Sequence, residues 1–205
     1  MKPPPLLSIL TPACWERVTQ CQELVQHIAA QITNPASVEH LVLYDNRHRS
    51  VGLKRQALLN SARGQYIAFV DDDDTVSADY VPSLLQAIRE SPQAHVITFE
   101  QDALYNGKAF KVIFQHGARD ENLILDDPSW QKLTRGPWHV CAWRRERIAH
   151  CQFLDCNYGE DAAWVKQARL HVTQDHHIPR VLHTYRHDAR HTLAPEAAPL
   201  TSATF

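Results

Sequence analysis

The sequence is short of paired cysteines, of positive charge and of long apolar runs, and each shortage removes a class of protein. Its five cysteines, Cys14, Cys21, Cys141, Cys151 and Cys156, are odd in number and include no C-x-x-C pair. Neither a disulfide framework nor a zinc finger is indicated, so they read as free thiols of a reducing compartment, and a cytoplasmic location is expected. The formal net charge of −2 argues against a strongly basic nucleic-acid binder, while a local basic patch stays open. No stretch approaches the roughly 20 apolar residues of a membrane span. The opening MKPPPLLSILTPACW holds too short an apolar run, broken by prolines, to be expected as a signal peptide. No internal repeat is visible. What is there is an ordinary globular composition, 205 residues with 44% hydrophobic and 21% charged. That is one large domain or at most two small ones, enough for a genuine core.

The apolar pattern alternates between two periods. Residues 6–10, 38–44, 66–70 and 95–100 read as strands. Between them, residues 15–32, 50–62 and 79–90 carry helical spacing, with Gly64 placed to end the second helix. Strand–helix alternation predicts a mainly parallel sheet with helices on both faces, and ligands beyond the carboxyl ends of its strands. Residues 108–114 and 178–185 read as further strands, the first of them antiparallel, 137–143 is aromatic-rich, and 159–170 reads as a loop entering a helix. From about Asp188 the Ala-, Pro- and Thr-rich chain is expected to be mobile.

Four consecutive aspartates, Asp71 to Asp74, follow the third strand in YIAFVDDDDT. Carboxylates crowded at a strand end repel one another, and a divalent cation, which seeks oxygen ligands, removes that repulsion. The bland alternative is a solvated acidic loop with Asp74 starting the next helix. Two metal chemistries fit. A D-x-D-x-T phosphatase of the haloacid-dehalogenase type would make Asp71 the nucleophile, Asp73 the general acid and Thr75 a supporting residue. That motif normally lies on a first strand, and here a full strand–helix–strand–helix unit precedes it.

More of the chain fits the other chemistry. SVGLKRQALLNSARGQYIAFVDDDD resembles the nucleotide-sugar-binding segment of family-2 glycosyltransferases of the GT-A fold, where a G-x-K-R-N helix leads through A-x-G-x-Y-I into a D-x-D strand end. Gln56 stands where Asn is commoner in that family. SILTPACWER (8–17) is similar to the family's first strand and turn, and NYGEDAAW (157–164) to its acidic E-D motif.

The resemblance implies a Rossmann-like, mainly parallel α/β sheet flanked by helices, with a smaller acceptor-side β element. It implies a single domain over residues 1–187, with a nucleotide-sugar-binding half (6–100), an acceptor-binding half (101–187) and a tail (188–205). The implied activity is metal-dependent, inverting transfer of a hexosyl or pentosyl group from a nucleoside diphosphate sugar, a UDP-sugar first, to an acceptor hydroxyl. Glycans, proteins and hydroxymethylated nucleobases are open as acceptors, although the net charge does not point to nucleic acid. Thr11 and Asp45 would hold base and ribose, and Lys54 and Arg55 would lie near the pyrophosphate, a solvated helix face being their alternative. Asp71 and Asp72 would contact ribose or metal, and Asp73 would bind Mn²⁺ or Mg²⁺. Asp161 matches the general base and Glu160 would orient the acceptor; a first-turn helix role is the alternative for Asp161. His183 or His187, four apart near a Tyr-Arg, would complete the metal site. Trp138, His139 and Trp143 would form an acceptor platform or else belong to the core. The basic run WRRER (143–147) would contact an anionic acceptor or end a solvated helix. A catalytically silent nucleotide-sugar or glycan-binding domain is the third reading.

Overall fold

A computed structural model describes residues 3–187. Strand β1 (Leu7–Cys14) leads through a short 3-10 turn (Trp15–Arg17) into helix α1 (Val18–Ala29). Then come β2 (Val38–Asp45), α2 (Val51–Ser61), β3 (Tyr66–Phe69), β4 (Thr75–Val76) and α3 (Tyr80–Glu90). The second half holds β5 (Val96–Tyr105), β6 (Lys108–Phe114), β7 (Gln131–Arg135), β8 (Ala142–Arg144), the single turn α4 (Arg145–Ile148), α5 (Glu160–Arg169) and β9 (Asp175–His187). All nine strands join one sheet, ordered β2-β1-β3-β8-β5-β6-β7, with β9 paired to β5 and β4.

The first half is the parallel α/β unit that the alternation predicts. β1 is flanked in parallel by β2 and β3, in a register that brings Cys14 beside Asp45 and Leu10 beside Phe69. Every residue of β1 is buried, as a central parallel strand covered on both faces must be. Beyond β3 the sheet turns mixed. β8 runs antiparallel to both β3 and β5, and β5 pairs antiparallel with β6 and parallel with β9. The smaller β element is the β5–β6 hairpin, turned at Asn106-Gly107 with positive φ at both residues, plus β7 alongside β6.

Several boundaries differ from the sequence reading. β1 runs four residues further than expected, so Thr11 lies inside a strand, fully buried, with its hydroxyl hydrogen-bonded to His40 Nε2 at 2.9 Å. Helix α2 ends at Ser61 without Gly64, which serves close packing instead. A Cβ there would lie 2.5 Å from both the backbone nitrogen and Oγ of Ser8, so β1 and the entry to β3 could not approach as they do. β5 extends five residues past its expected end because the hairpin and β9 keep pairing with it. β4 and β7, polar and short, carry no alternation that would reveal them. The expected mobile tail, residues 188–205, lies outside the described residues.

The core is aromatic under the carboxyl ends of the strands. Trp164 of α5 stacks on Phe153 at 5.0 Å and meets Trp143 of β8 and Phe69 of β3 edge-on. Trp143 is thus a core residue and not part of an acceptor platform: it is fully buried, and its indole N–H donates to the Trp138 carbonyl at 3.0 Å. Among the described residues no helix is long and apolar enough to cross a membrane.

Candidate active site

The four aspartates form a β-turn closed by the Asp74 N–H donating to the Asp71 carbonyl at 3.1 Å. A turn rotates successive side chains away from one another, and each carboxylate meets a different element. The Asp72 carboxylate is buried; it accepts from the Cys14 N–H at 2.8 Å and from the Arg17 guanidinium at 2.6 and 2.8 Å. Asp71 faces Arg55 of α2 at 2.8 Å, leaving its Oδ1 buried without a hydrogen-bond partner. Asp74 points into the fold, 3.3 Å from His183 Nε2, and accepts from the Arg186 N–H at 3.2 Å. Asp73 faces outward, half-exposed, with Arg17 3.3 Å from its carboxylate. Asp74 does not start a helix, since Asp79 occupies the N-cap of α3.

Helix α2 is the element that assembles the site, and the S-V-G-L-K-R-Q pattern acquires a contact at nearly every position. Ser50 caps the helix by accepting from the Leu53 N–H and donates to Asp155. Gly52 lets residues 154–156 lie directly on the helix, because a Cβ would sit 1.8 Å from the Leu154 carbonyl oxygen. Its own N–H donates to the Cys156 carbonyl. Gln56 Oε1 accepts from the Phe153 N–H at 2.9 Å, a role the residue type alone did not disclose. These contacts bring the start of α5 against α2.

Lys54 and Arg55 are therefore buried, and the solvated-face alternative is excluded. Lys54 Nζ donates to the Ala13 carbonyl at 2.9 Å and lies 3.4 Å from Asp45, whose two carboxylate oxygens have no hydrogen-bond partner. Arg55 bridges Asp71 and Glu160, the latter at 3.2 Å, with its guanidinium over the Phe69 ring. Their charges thus face carboxylates and not open space above the strands. Burial works against the Arg55 charge, yet Asp71, Glu160 and Asp161 keep it firmly protonated.

Asp161 stands on the first turn of α5 with Glu160; Gly159, at φ 79°, is the N-cap. Asp161 Oδ2 is 3.4 Å from His139 Nδ1, and its Oδ1 accepts from the Ala162 N–H. His139 is buried and pushed down to about 4 by burial and by Arg55, so it faces Asp161 as a neutral ring. Trp138 is partly buried, with the guanidinium groups of Arg135 and Arg169 over its ring at 4.8 and 5.6 Å, where they compete with an acceptor for stacking. His187 stacks on Tyr105 at 4.5 Å, whereas His183 is fully buried and hydrogen-bonded through Nδ1 to Gln101. Of the two histidines, the structure joins His183 to the aspartate turn. The WRRER run lies at the other end of β3, where Arg144 donates to the Ala94 carbonyl and Arg145 to the Gly64 carbonyl, so it does not face this site.

Two residues of the site carried no assignment in the sequence. Arg17, the last residue of SILTPACWER, ties Asp72 and Asp73 to the end of β1. Tyr185 of β9 is half-buried, its phenol pushed up by burial and then by Asp74, Asp71, Asp73 and Asp161. Seven carboxylates (Asp45, Asp71, Asp72, Asp73, Asp74, Glu160 and Asp161) share this strand end with three permanent cations (Arg17, Lys54 and Arg55). Burial and the neighbouring Asp74, Asp71 and Asp72 push Asp73 up to about 7, Arg17 opposing them. Excess negative charge, an orphaned Asp71 Oδ1 and a half-exposed Asp73 suit a hard divalent cation.

Residues 23–153 match the sequence profile described as "Glycosyl transferase family 2". The chain belongs to glycosyl transferase family 2. The matched segment of this family member includes Asp45, Lys54, Arg55 and all four aspartates, and stops short of Glu160, Asp161 and His183. Over 50 residues the chain is 36% identical to the succinoglycan biosynthesis protein ExoM of Rhizobium meliloti (strain 1021), covering 24% of this chain and 16% of that protein. Its fold is that of S. aureus TarS 1–349 in complex with UDP-GlcNAc, with a TM-score of 0.69, 14% identity, and 94% of this chain and 62% of that chain covered. TarS 1–349 with UDP gives a TM-score of 0.67 at 15% identity, with 88% of this chain and 60% of that chain covered. The chain therefore spans less than two thirds of each of these proteins. The GT-A fold and the family together replace the phosphatase reading, and Asp71, held by Arg55, is not free to act as a nucleophile.

Proposed function

We propose that this chain is a metal-dependent, inverting glycosyltransferase that takes a sugar from a nucleoside diphosphate sugar, a UDP-sugar first, and passes it to an acceptor hydroxyl. The observation that carries the reading is the aspartate turn, which leaves Asp73 half-exposed and Asp71 Oδ1 without a hydrogen-bond partner while Arg55 links that turn to Glu160 beside Asp161. The UDP and UDP-GlcNAc complexes of TarS support the donor class, since that protein shares the fold. Residues 1–187 then act as one GT-A domain, with donor and acceptor halves meeting at α2 and α5.

Asp45, with two unpartnered carboxylate oxygens at the end of β2, accepts hydrogen bonds from the ribose or base. Thr11, enclosed in β1, supports His40 and does not touch the donor. Asp73 and Asp71 would hold Mn²⁺ or Mg²⁺, with Asp74 and His183 behind them. When bound, such an ion supplies Lewis-acid neutralisation of the departing diphosphate. Asp161 takes the proton of the acceptor hydroxyl as its oxygen bonds to the anomeric carbon and the carbon–phosphate-oxygen bond breaks on the opposite face. His139 borders that carboxylate, its Nδ1 3.4 Å from Oδ2. Arg55 fixes Asp71 and Glu160 and holds the two halves in register.

A thermal-shift panel of UDP, GDP, CMP and ADP, each with and without Mn²⁺, tests this. A rise in Tm for UDP that requires Mn²⁺ and disappears in Asp73→Asn supports the reading. Absence of any nucleotide-dependent shift overturns it. UDP binding with no turnover in wild type across glycan, protein and nucleobase acceptors would instead favour a silent binding domain.

A further inference from the structure

The end of the sheet opposite the aspartates holds a second cluster of ligating groups that the transfer reaction does not use. His150 and Cys151 come one residue past the end of α4, and His171 comes one residue past the end of α5, which begins with Glu160 at the first site. One ligand atom from each of His150, Cys151 and His171 lies within 4.8 Å of the other two. The two imidazoles meet at 4.1 Å between centroids, nearly perpendicular. Cys151 is buried and both histidines are exposed, so the sulfur forms the floor of the cluster and the rings its rim. We propose that His150, Cys151 and His171 bind zinc or a chemically similar divalent transition-metal cation.

The donor set decides the class of ion. Two imidazole nitrogens and a thiolate favour a borderline-soft cation, whereas Mg²⁺ and Mn²⁺ prefer the oxygen ligands of the other end. Tetrahedral zinc, with Zn–N near 2.0 Å and Zn–S near 2.3 Å, sets neighbouring donors about 3.3–3.6 Å apart, so the set closes by roughly an ångström. Exposed imidazoles rotate to do this, and only the buried thiol stays fixed. Both rings border an open depression of about 390 Å³, shared with Glu146, Arg147, His95 and Thr173, where a fourth ligand, water or the Glu146 carboxylate, has room. On binding, the Cys151 thiol loses its proton to solvent and the thiolate bonds to the metal; no electron is transferred. The ion would join the segment just past α4 to the segment just past α5, closing the 151–171 stretch that carries Glu160 and Asp161. The proposal does not depend on the reading of the aspartate turn.

Co²⁺ alone, titrated into the metal-free protein, is the probe. Wild type is expected to take up one equivalent and to show a thiolate-to-cobalt charge-transfer band with tetrahedral d–d intensity, both bleached by Zn²⁺. Cys151→Ser abolishes the charge-transfer band. Because that buried change could disturb folding, His171→Ala, on an exposed ring, is the second variant. It weakens Co²⁺ binding at least about tenfold, the loss that removing even an outer-shell partner can bring. Zn²⁺ in hundredfold excess over the wild-type Kd raises the wild-type Tm by about 5 °C or more, and at the same Zn²⁺ concentration that rise falls to about half or less in His171→Ala. A folded wild type that gives no thiolate charge transfer overturns the proposal. So does a spectrum and Zn²⁺ shift in His171→Ala equal to those of wild type.

Discussion

The two ends of the sheet gather ligating side chains in opposite ways. At the carboxyl end of β3, carboxylates from a turn, a strand end and a helix start are held apart by Arg17, Lys54 and Arg55, most of them buried. At the other end, two exposed imidazoles lean over one buried thiol, and no ion pair among the described residues holds them. α5 spans both, with Glu160 at one end and His171 just past the other. A site built from like charges depends on a rigid network to survive empty, because each buried charge needs its partner. Two exposed rings over one thiol carry no such network. The first end should therefore be fragile to substitution and the second nearly indifferent.

The largest effect expected is on turnover at the first end. Asp161→Asn should lower kcat by about a thousandfold, the scale of a lost general base, while Mn²⁺-dependent UDP binding survives in a thermal-shift assay. An unchanged kcat would remove Asp161 from the mechanism. Next comes Arg55→Ala, which leaves Asp71 and Glu160 facing each other in a buried space. It should cost about 3–5 kcal/mol in denaturant unfolding, with partial recovery in Arg55→Lys. Gly52→Ala places a Cβ against the Leu154 carbonyl and should cost about 1–3 kcal/mol, separating α2 from the 154–156 segment. If its Tm equals that of wild type, the packing that brings α5 to α2 is not as described.

A fourth prediction concerns pH. Burial pushes His40 down to about 4 from an ordinary value near 6.5, so the folded state resists protonation that the unfolded chain accepts. Stability should fall as pH drops from about 6.5 to 4, since the unfolded state binds more protons in that window. His40→Gln should flatten that part of the Tm–pH curve, and an unchanged slope would exclude His40 as a source. The smallest effect belongs to the far end. His171→Ala in metal-free protein should shift stability by no more than about 0.5 kcal/mol, as an exposed side chain outside any ion pair. A larger loss would show that the second end is structurally loaded like the first.

The parts of the site that were legible in the sequence are those whose partners are near in sequence. YIAFV followed by aspartates had to be a buried strand ending at charge, and Ser50 before VGLKRQ had to start a helix. Gly64 shows the limit: the residue type marked a special position, but a helix stop and a close approach to Ser8 look alike in one dimension. Trp143 and Trp138 show it again, because an aromatic-rich segment does not say which ring faces the core and which is clasped by Arg135 and Arg169. Arg17 with Asp72, 55 positions apart, and Arg55 with Glu160, 105 apart, could not be paired without knowing which elements are neighbours.

Periodicity by itself determined the α/β alternation and the strand that runs into the four aspartates, and the resemblance of the ordered motifs pointed to the family. The tertiary structure alone decided what each charge faces. It turned the four aspartates into a clasp for β1, a partner for α2, a partner for β9 and one half-exposed carboxylate. It also decided for Lys54 and Arg55 that the solvated helix face does not hold, and set His150, Cys151 and His171 together. The reason is one of range. Helix and strand periods are fixed by backbone geometry within a few residues, whereas the partner of a buried charge is fixed by sheet order and packing across the whole chain.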